Sequence, residues 1–153
     1  MINLTFQEES WRKVAKEIWT PMLDHWHEVA LNQDKIKLAM DYEAYARKEE
    51  EGKLATVTAR DGSKLAGYAT AFIDNHMHYR HTLHGWYDGY YILPEYRNGF
   101  NGLKLLGLLE VVCKERKVQK LVAGTKVEHD ASTLFERMKW KQAEKLFTKY
   151  IGD

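Results

Sequence analysis

The chain reads as an α+β protein, and three observations carry that reading. Periodic segments follow one another in the order strand, helices, three strands, helix, strand, helix, strand. Two alternating runs, Leu54 to Arg60 and Lys64 to Ile73, are joined by Asp61-Gly62, a strong signal for a hairpin. An aromatic and β-branched run from Tyr87 to Leu93 stops at Pro94, crosses a polar turn and enters a leucine-rich helix that reaches Cys113.

The elements can be justified in chain order. Ile2 to Phe6 alternates and predicts a first strand. Glu8 to Trp19 places Trp11, Val14, Ala15, Ile18 and Trp19 at helical spacing, a stripe that requires a core to face. Pro21 suits the opening of a second helix through Trp26 to Leu31, or the kink of one longer helix. His25 and His27 sit there two residues apart, pointing away from each other on a helix, a poor metal pair, and read as surface residues. The charged stretch from Gln33 predicts a short helix stopped by Gly52. The segment from Asn75 to Asp88 holds His76, His78, His81 and His84 and predicts a hairpin lining a polar pocket. No acid or thiol completes a metal set at a familiar spacing, so no metal site is predicted. After the leucine-rich helix come a strand over Lys120 to Val127, a helix over Asp130 to Met138 capped by Asp130 or Ser132, and one or two closing strands between Gln142 and Ile151.

The strand, turn and helix from Tyr87 to Cys113 have an anion-binding design. Gly99 and Gly102 allow close approach to the main chain, the first turn of the helix offers free N–H groups, and Arg97 adds a planar cation. Phosphate or pyrophosphate fits such a cradle. There is neither a G-x-x-x-x-G-K-[ST] loop nor a G-x-G-x-x-G after an early strand.

What remains, Ile92-Leu93-Pro94-Glu95-Tyr96-Arg97 followed by a glycine turn and a helix, resembles the GNAT acyltransferases. The resemblance extends over nearly the whole chain, and His129 to Trp140 looks like the family's N-x-x-A-x-x-h-Y-E-K-x-G-F stretch. It implies a GNAT-like, mostly antiparallel mixed sheet of about six to seven strands flanked by about four to five helices. It also implies acetyl-CoA as co-substrate: the backbone of Tyr90, Ile92 and Leu93 beside the pantetheine arm, and Arg97, Asn98, Gly99, Phe100, Asn101 and Gly102 around the pyrophosphate. Phe100 stands where the family's Q/R-x-x-G-x-G/A motif has its middle glycine, and Phe135 where it has its usual tyrosine acid. The chain further resembles a phage- or prophage-borne subgroup in which H-Y-R-x-T, an acid before the splayed strand and E-H-D-x-x-x-L-F-E-R occur together.

Composition fits one domain over residues 1–153. With 23 basic and 22 acidic residues the formal charge is +1, which predicts neither a nucleic acid nor a membrane surface as partner. The single cysteine, Cys113, excludes an internal disulfide, and the absence of a long apolar run or leader pattern predicts a cytoplasmic setting. Five tryptophans and nine tyrosines can cover a core or the face of a homodimer.

Acyl transfer to an amine requires a base, an oxyanion donor and a proton for the departing thiolate. Asp88, on the strand before the splay, is the leading candidate base, and strand alternation predicts that it shares a face with Tyr90 and Ile92. The plain alternative is an ion pair of Asp88 with Arg80. His84 and His129 are the second candidates, because imidazole ordinarily titrates near neutrality. For the acid, water, His129, Tyr91 and Tyr150 compete for the role that Phe135 cannot fill. The reading is an N-acetyltransferase acting on a primary amine; the alternative is a weak or inactive acyl-CoA-binding or inhibitory module on the same fold.

Overall fold

The computed structural model describes residues 2–153. A single five-stranded sheet runs β1 (Thr5–Glu8), β2 (Leu54–Asp61), β3 (Lys64–His76), β4 (Tyr79–Ile92) and β5 (Lys120–Val122), in that spatial order. All neighbours are antiparallel except β4 and β5, which are parallel. Helices α1 (Trp11–Ala15), α2 (Trp19–Val29) and α3 (Tyr42–Glu50) cover one face, and α4 (Asn101–Glu115) and α5 (Ser132–Arg137) cover the other.

Two cores follow from the alternation of the strands. On one face, Ala55, Val57, Ala69, Ala71 and Ile73 meet Leu105, Leu106, Leu109 and Val112 of α4. On the other, Leu54, Leu65 and Tyr68 meet Trp11, Val14, Ile18 and Ala46. The stripe read from Trp11 to Ile18 is therefore core, although Trp19 is left 44% exposed. Small side chains on β2 and β3 let the helices sit close to the sheet. At Gly67 the tight approach is between neighbouring strands: a Cβ there would lie 2.8 Å from the Tyr91 carbonyl oxygen and 2.9 Å from Ile92 Cγ1, both of β4.

The five helices agree with the sequence reading, but the sheet is smaller than predicted. Among the described residues no strand forms between Gln142 and Ile151, and Leu146, Phe147 and Ile151 are 93%, 88% and 87% exposed. The apolar residues there, Ala143, Leu146, Phe147, Tyr150 and Ile151, are spaced by one, three and four, so a strand would scatter them over both faces. β5 also stops at Val122 rather than Val127. The charged helix is confined to Tyr42–Glu50, opened by Asp41, whose Oδ1 accepts the Ala44 N–H at 2.9 Å, and closed at Gly52 with φ of +73°. The first hairpin turns on Gly62 and Ser63 rather than Asp61-Gly62, with Gly62 at φ +58°, the glycine-first form of a two-residue turn. No helix among the described residues is long and apolar enough to cross a membrane.

A buried ionic network ties α1 to β2. Glu9, its side chain 3% exposed, accepts from Arg60 Nε at 2.7 Å, from the Thr58 hydroxyl and from Lys13 Nζ at 2.8 Å; Arg60 also reaches Glu17 at 2.6 Å. Burial alone would raise the Glu9 pKa, but the bonds from Arg60, Lys13 and Thr58 outweigh it and hold the group at about 2. A depressed carboxyl pKa stabilises the fold above its ordinary value of about 4.5 and loses that contribution as pH falls toward about 2. The expected loss is roughly 3 kcal/mol. Thermal melts between pH 5 and pH 2 should show it, and Glu9→Gln should be destabilised at pH 7 by about 3 kcal/mol with a flatter acid limb.

Candidate active site

The site is built where β4 and β5 part. Their parallel pairing extends only over His84–Lys120, Gly85–Leu121 and Trp86–Val122, after which β4 continues to Ile92 without a partner on that side. The gap opens into a cavity of about 760 Å³ lined by both helical layers: His25 and Glu28 of α2, Asp88 to Ile92 of β4, Gly102 and Leu105 of α4, and Gly124 to Lys126 beyond β5. Tyr90 spans the opening, its hydroxyl donating to the Gly124 carbonyl at 2.7 Å.

At one end lies the glycine turn. Pro94–Tyr96 forms a single 3₁₀ turn, Gly99 adopts φ +56°, and α4 starts at Asn101. The N–H groups of Gly99, Phe100, Gly102 and Leu103 have no protein acceptor among the described residues. They stand at the positive end of a fifteen-residue helix. Gly102 packs α4 against α5, since a Cβ there would come within 3.2 Å of Leu134 Cδ1. Unpartnered donors at a glycine-lined helix start fit the diphosphate of a CoA, which Arg97, Asn98, Gly99 and Gly102 would hold from the cavity wall.

Arg97 has a second commitment. Its Nε donates to the Ile92 carbonyl at 2.7 Å, and its two terminal nitrogens grip Glu28 of α2 at 2.8 and 2.7 Å. Its guanidinium also lies 4.9 Å from the Tyr91 ring centroid. The bonds from Arg97 outweigh burial in holding the Glu28 pKa below the usual carboxylate range. The residue that the sequence marks as a phosphate ligand is thus also a clamp between the splayed strand and α2.

At the other end, β4 carries a bulge. Gly89 pairs with Thr70 and Tyr87 with Ala71, leaving Asp88 as the extra residue. The bulge corrects the expected alternation: Tyr90 and Ile92 stay on the α4 face, while Asp88 turns to the other layer, accepting from the Tyr45 hydroxyl at 2.6 Å and Thr70 Oγ1 at 3.3 Å. Arg80 is not its partner; that guanidinium donates to His81 at 3.2 Å. Burial, reinforced by the Asp88 charge, pushes the Tyr45 pKa well above its ordinary value, so the phenol stays a donor.

The remaining sequence candidates divide. His129 lines the cavity in an exposed turn. His84 does not: it is 3% exposed and stacked on Trp86 at 5.6 Å, inside an aromatic cluster with His76 and Tyr79. The hairpin therefore projects beyond the sheet instead of lining the pocket, because β3 and β4 outrun both of their neighbours. Among the described residues no three His, Cys, Asp or Glu side chains converge as a metal set. Leu93 is packed between the two cores, Asn101 donates to the Tyr96 carbonyl at 2.9 Å, and Phe100 is 66% exposed; none of the three lines the cavity. Phe135 faces the core, edge-on to Tyr90 at 5.6 Å. Tyr150 lies beside Lys35, away from the site, whereas Tyr91 is on the cavity wall.

Sequence reasoning missed Glu28 and favoured a surface position for His25, although the resemblance implies that its helix borders the acceptor cleft. Their three-residue spacing puts them on one face of α2, with Val29 beside them, and that shared face was the available signal.

Comparison with known proteins agrees with this geometry. The profile of the Acetyltransferase (GNAT) family matches residues 11–140. A predicted acetyltransferase from Clostridium acetobutylicum, solved with acetyl-CoA, superposes with a TM-score of 0.72 at 12% identity over 97% of this chain and 96% of that one. A ribosomal-protein-alanine N-acetyltransferase from Brucella melitensis gives 0.71 at 16% identity over 98% and 100%. An aminoglycoside acetyltransferase from an uncultured soil metagenomic sample gives 0.74 at 14% identity over 98% and 99%. No curated protein sequence matches the chain.

Gly99 sits in the left-handed region with no atom within 4 Å of where a Cβ would lie, so Gly99→Val would strain the backbone without a protein clash. Isothermal titration should show acetyl-CoA affinity reduced at least about tenfold, with the melting temperature little changed. With the family profile covering most of its length, the chain belongs to the Acetyltransferase (GNAT) family and uses acetyl-CoA as its co-substrate.

Proposed function

We propose that this acetyltransferase transfers the acetyl group directly to a primary amine, with Asp88 as the base that prepares the amine. The observation that carries the reading is that one continuous cavity is lined both by the glycine turn before α4 and by Asp88 at the bulge of β4. A cofactor seated on the turn and an acceptor beside Asp88 would share that space, so transfer would gain from proximity and orientation without a covalent intermediate. Acetyl-CoA, when bound, supplies the thioester carbonyl that the amine attacks.

The chain's own groups then have distinct tasks. Asp88 accepts a proton from the incoming ammonium, directly or through a water, and makes the nitrogen lone pair available. Tyr45 and Thr70 hold that carboxylate toward the acceptor side. Backbone N–H groups freed beyond the bulge, between Tyr90 and Ile92 on the splayed side, are suited to an oxyanion. The Arg97–Glu28 clamp fixes α2, the acceptor-side wall, relative to the strand that would carry the thioester.

Two of the similar structures are named for acetylation of a ribosomal-protein alanine and of an aminoglycoside. For this chain the proposed acceptor class is a primary amine, favoured by a site that pairs one carboxylate with tyrosine hydroxyls.

Asp88→Asn should lower thiol release with a panel of primary amines by about 10²-fold while leaving the dissociation constant for acetyl-CoA unchanged. Turnover equal to that of the unsubstituted protein would remove Asp88 from this role.

A further inference from the structure

A second titratable group faces the cavity, and the roles above leave it unused. His25 of α2 lines the wall with its ring stacked on Tyr91 at 4.8 Å and 15°. Its Cε1 is 3.9 Å from the place a Cβ would occupy on Gly89, the residue after Asp88. The ring therefore lies over the bulge, where the acceptor nitrogen and the thioester would meet.

The hydrogen bonds of His25 define its tautomer. Nδ1 is 2.7 Å from the Tyr68 hydroxyl, and that hydroxyl is 3.3 Å from Met22 Sδ. A thioether only accepts, and a hydroxyl has one proton to give. Both contacts are satisfied together when Nδ1–H donates to the Tyr68 oxygen and the Tyr68 O–H points to the sulfur. The lone pair is then on Nε2, which has no protein partner among the described residues. Only Thr56 Oγ1 is a fully buried side-chain polar atom without a partner among them, so Nε2 is open to the cavity.

The reaction needs such a group. One proton must leave the nitrogen after attack and another must reach the sulfur, and the phenol usual for the second task is replaced by Phe135, which faces the core. Resting on the transferase reading, we propose that His25 is a catalytic proton relay: Nε2 takes the proton released by the acceptor nitrogen and passes it to the departing sulfur. The amine lone pair forms the C–N bond, the C–S bond breaks with its electron pair on sulfur, and the nitrogen's proton ends on that sulfur. Amide and free thiol result with no further reactant, while Asp88 handles the earlier proton that converts ammonium to amine.

The environment suits a relay rather than a store. Burial holds the His25 pKa at about 4; Glu28 pulls it upward, and Arg97 and Lys126 push it down. An imidazolium formed there gives up its proton readily.

The test follows the Nε2 resonance of His25 in ¹⁵N-histidine-labelled protein during titration with CoA and with desulfo-CoA, beside thiol-release rates for His25→Gln. CoA should shift Nε2 through its S–H group, desulfo-CoA should leave it in place, and His25→Gln should bind CoA normally yet lose about 10²-fold in turnover. Binding of CoA with Nε2 unmoved, or moved equally by both ligands, overturns the relay and leaves the transferase reading standing. Unaltered turnover in His25→Gln overturns it as well. Failure of the unsubstituted protein to bind CoA overturns the transferase reading and the relay with it.

Discussion

Three residues of parallel pairing hold β5 to β4, and the rest of the site depends on their being so few. If the ladder continued past Trp86–Val122, the backbone of β4 from Gly89 to Ile92 would be consumed by β5 and no cavity would open. The unpaired groups of a buried strand end are costly unless something satisfies them. The protein answers part of that cost itself: Tyr90 bridges to the Gly124 carbonyl and Arg97 caps the Ile92 carbonyl. The remainder is left free to pair with a ligand.

Arg97 joins two functions, of which the primary structure shows only the first. Its place before a glycine turn suits a phosphate ligand, and its bidentate grip on Glu28 links the cofactor end of the cavity to the helix bearing His25. The glycine turn and the α2 wall of the cavity are thereby tied together through one side chain. The planar fork matters, since a lysine offers a point charge and could not hold Ile92 and both oxygens of Glu28 together.

Much of the fold is legible in the sequence because its signals are local. The helical stripe at Trp11 to Ile18, the glycine after Asp61 and the run into Pro94 each reflect short-range geometry that a sequence displays. Three residues of the cavity wall, Arg97, Gly99 and Gly102, are legible for the same reason. The misses have a common cause in long-range pairing. The bulge at Asp88 is a property of two strands, invisible in the alternation of one, and it turns the proposed base to the opposite face. His84 has the sequence setting of a pocket residue, but it pairs with Lys120 at the start of β5, before the two strands part at Trp86. His25 has the setting of a surface residue, because Tyr68, which takes its Nδ1, lies 43 residues further along the chain. The tail from Gln142 reads as a closing strand, but its apolar spacing does not alternate and no sheet edge among the described residues receives it.

Gly67 lies on β3, behind the splay, and touches nothing in the cavity. The atom it lacks would meet the Tyr91 carbonyl and Ile92, the two residues at the mouth of the gap. A side chain on the far strand would therefore press on the edge of that mouth, and the space it would need is kept clear by a missing methyl group. A mutational scan would score position 67 alongside the residues of the cavity wall, although Gly67 lines no part of the cavity.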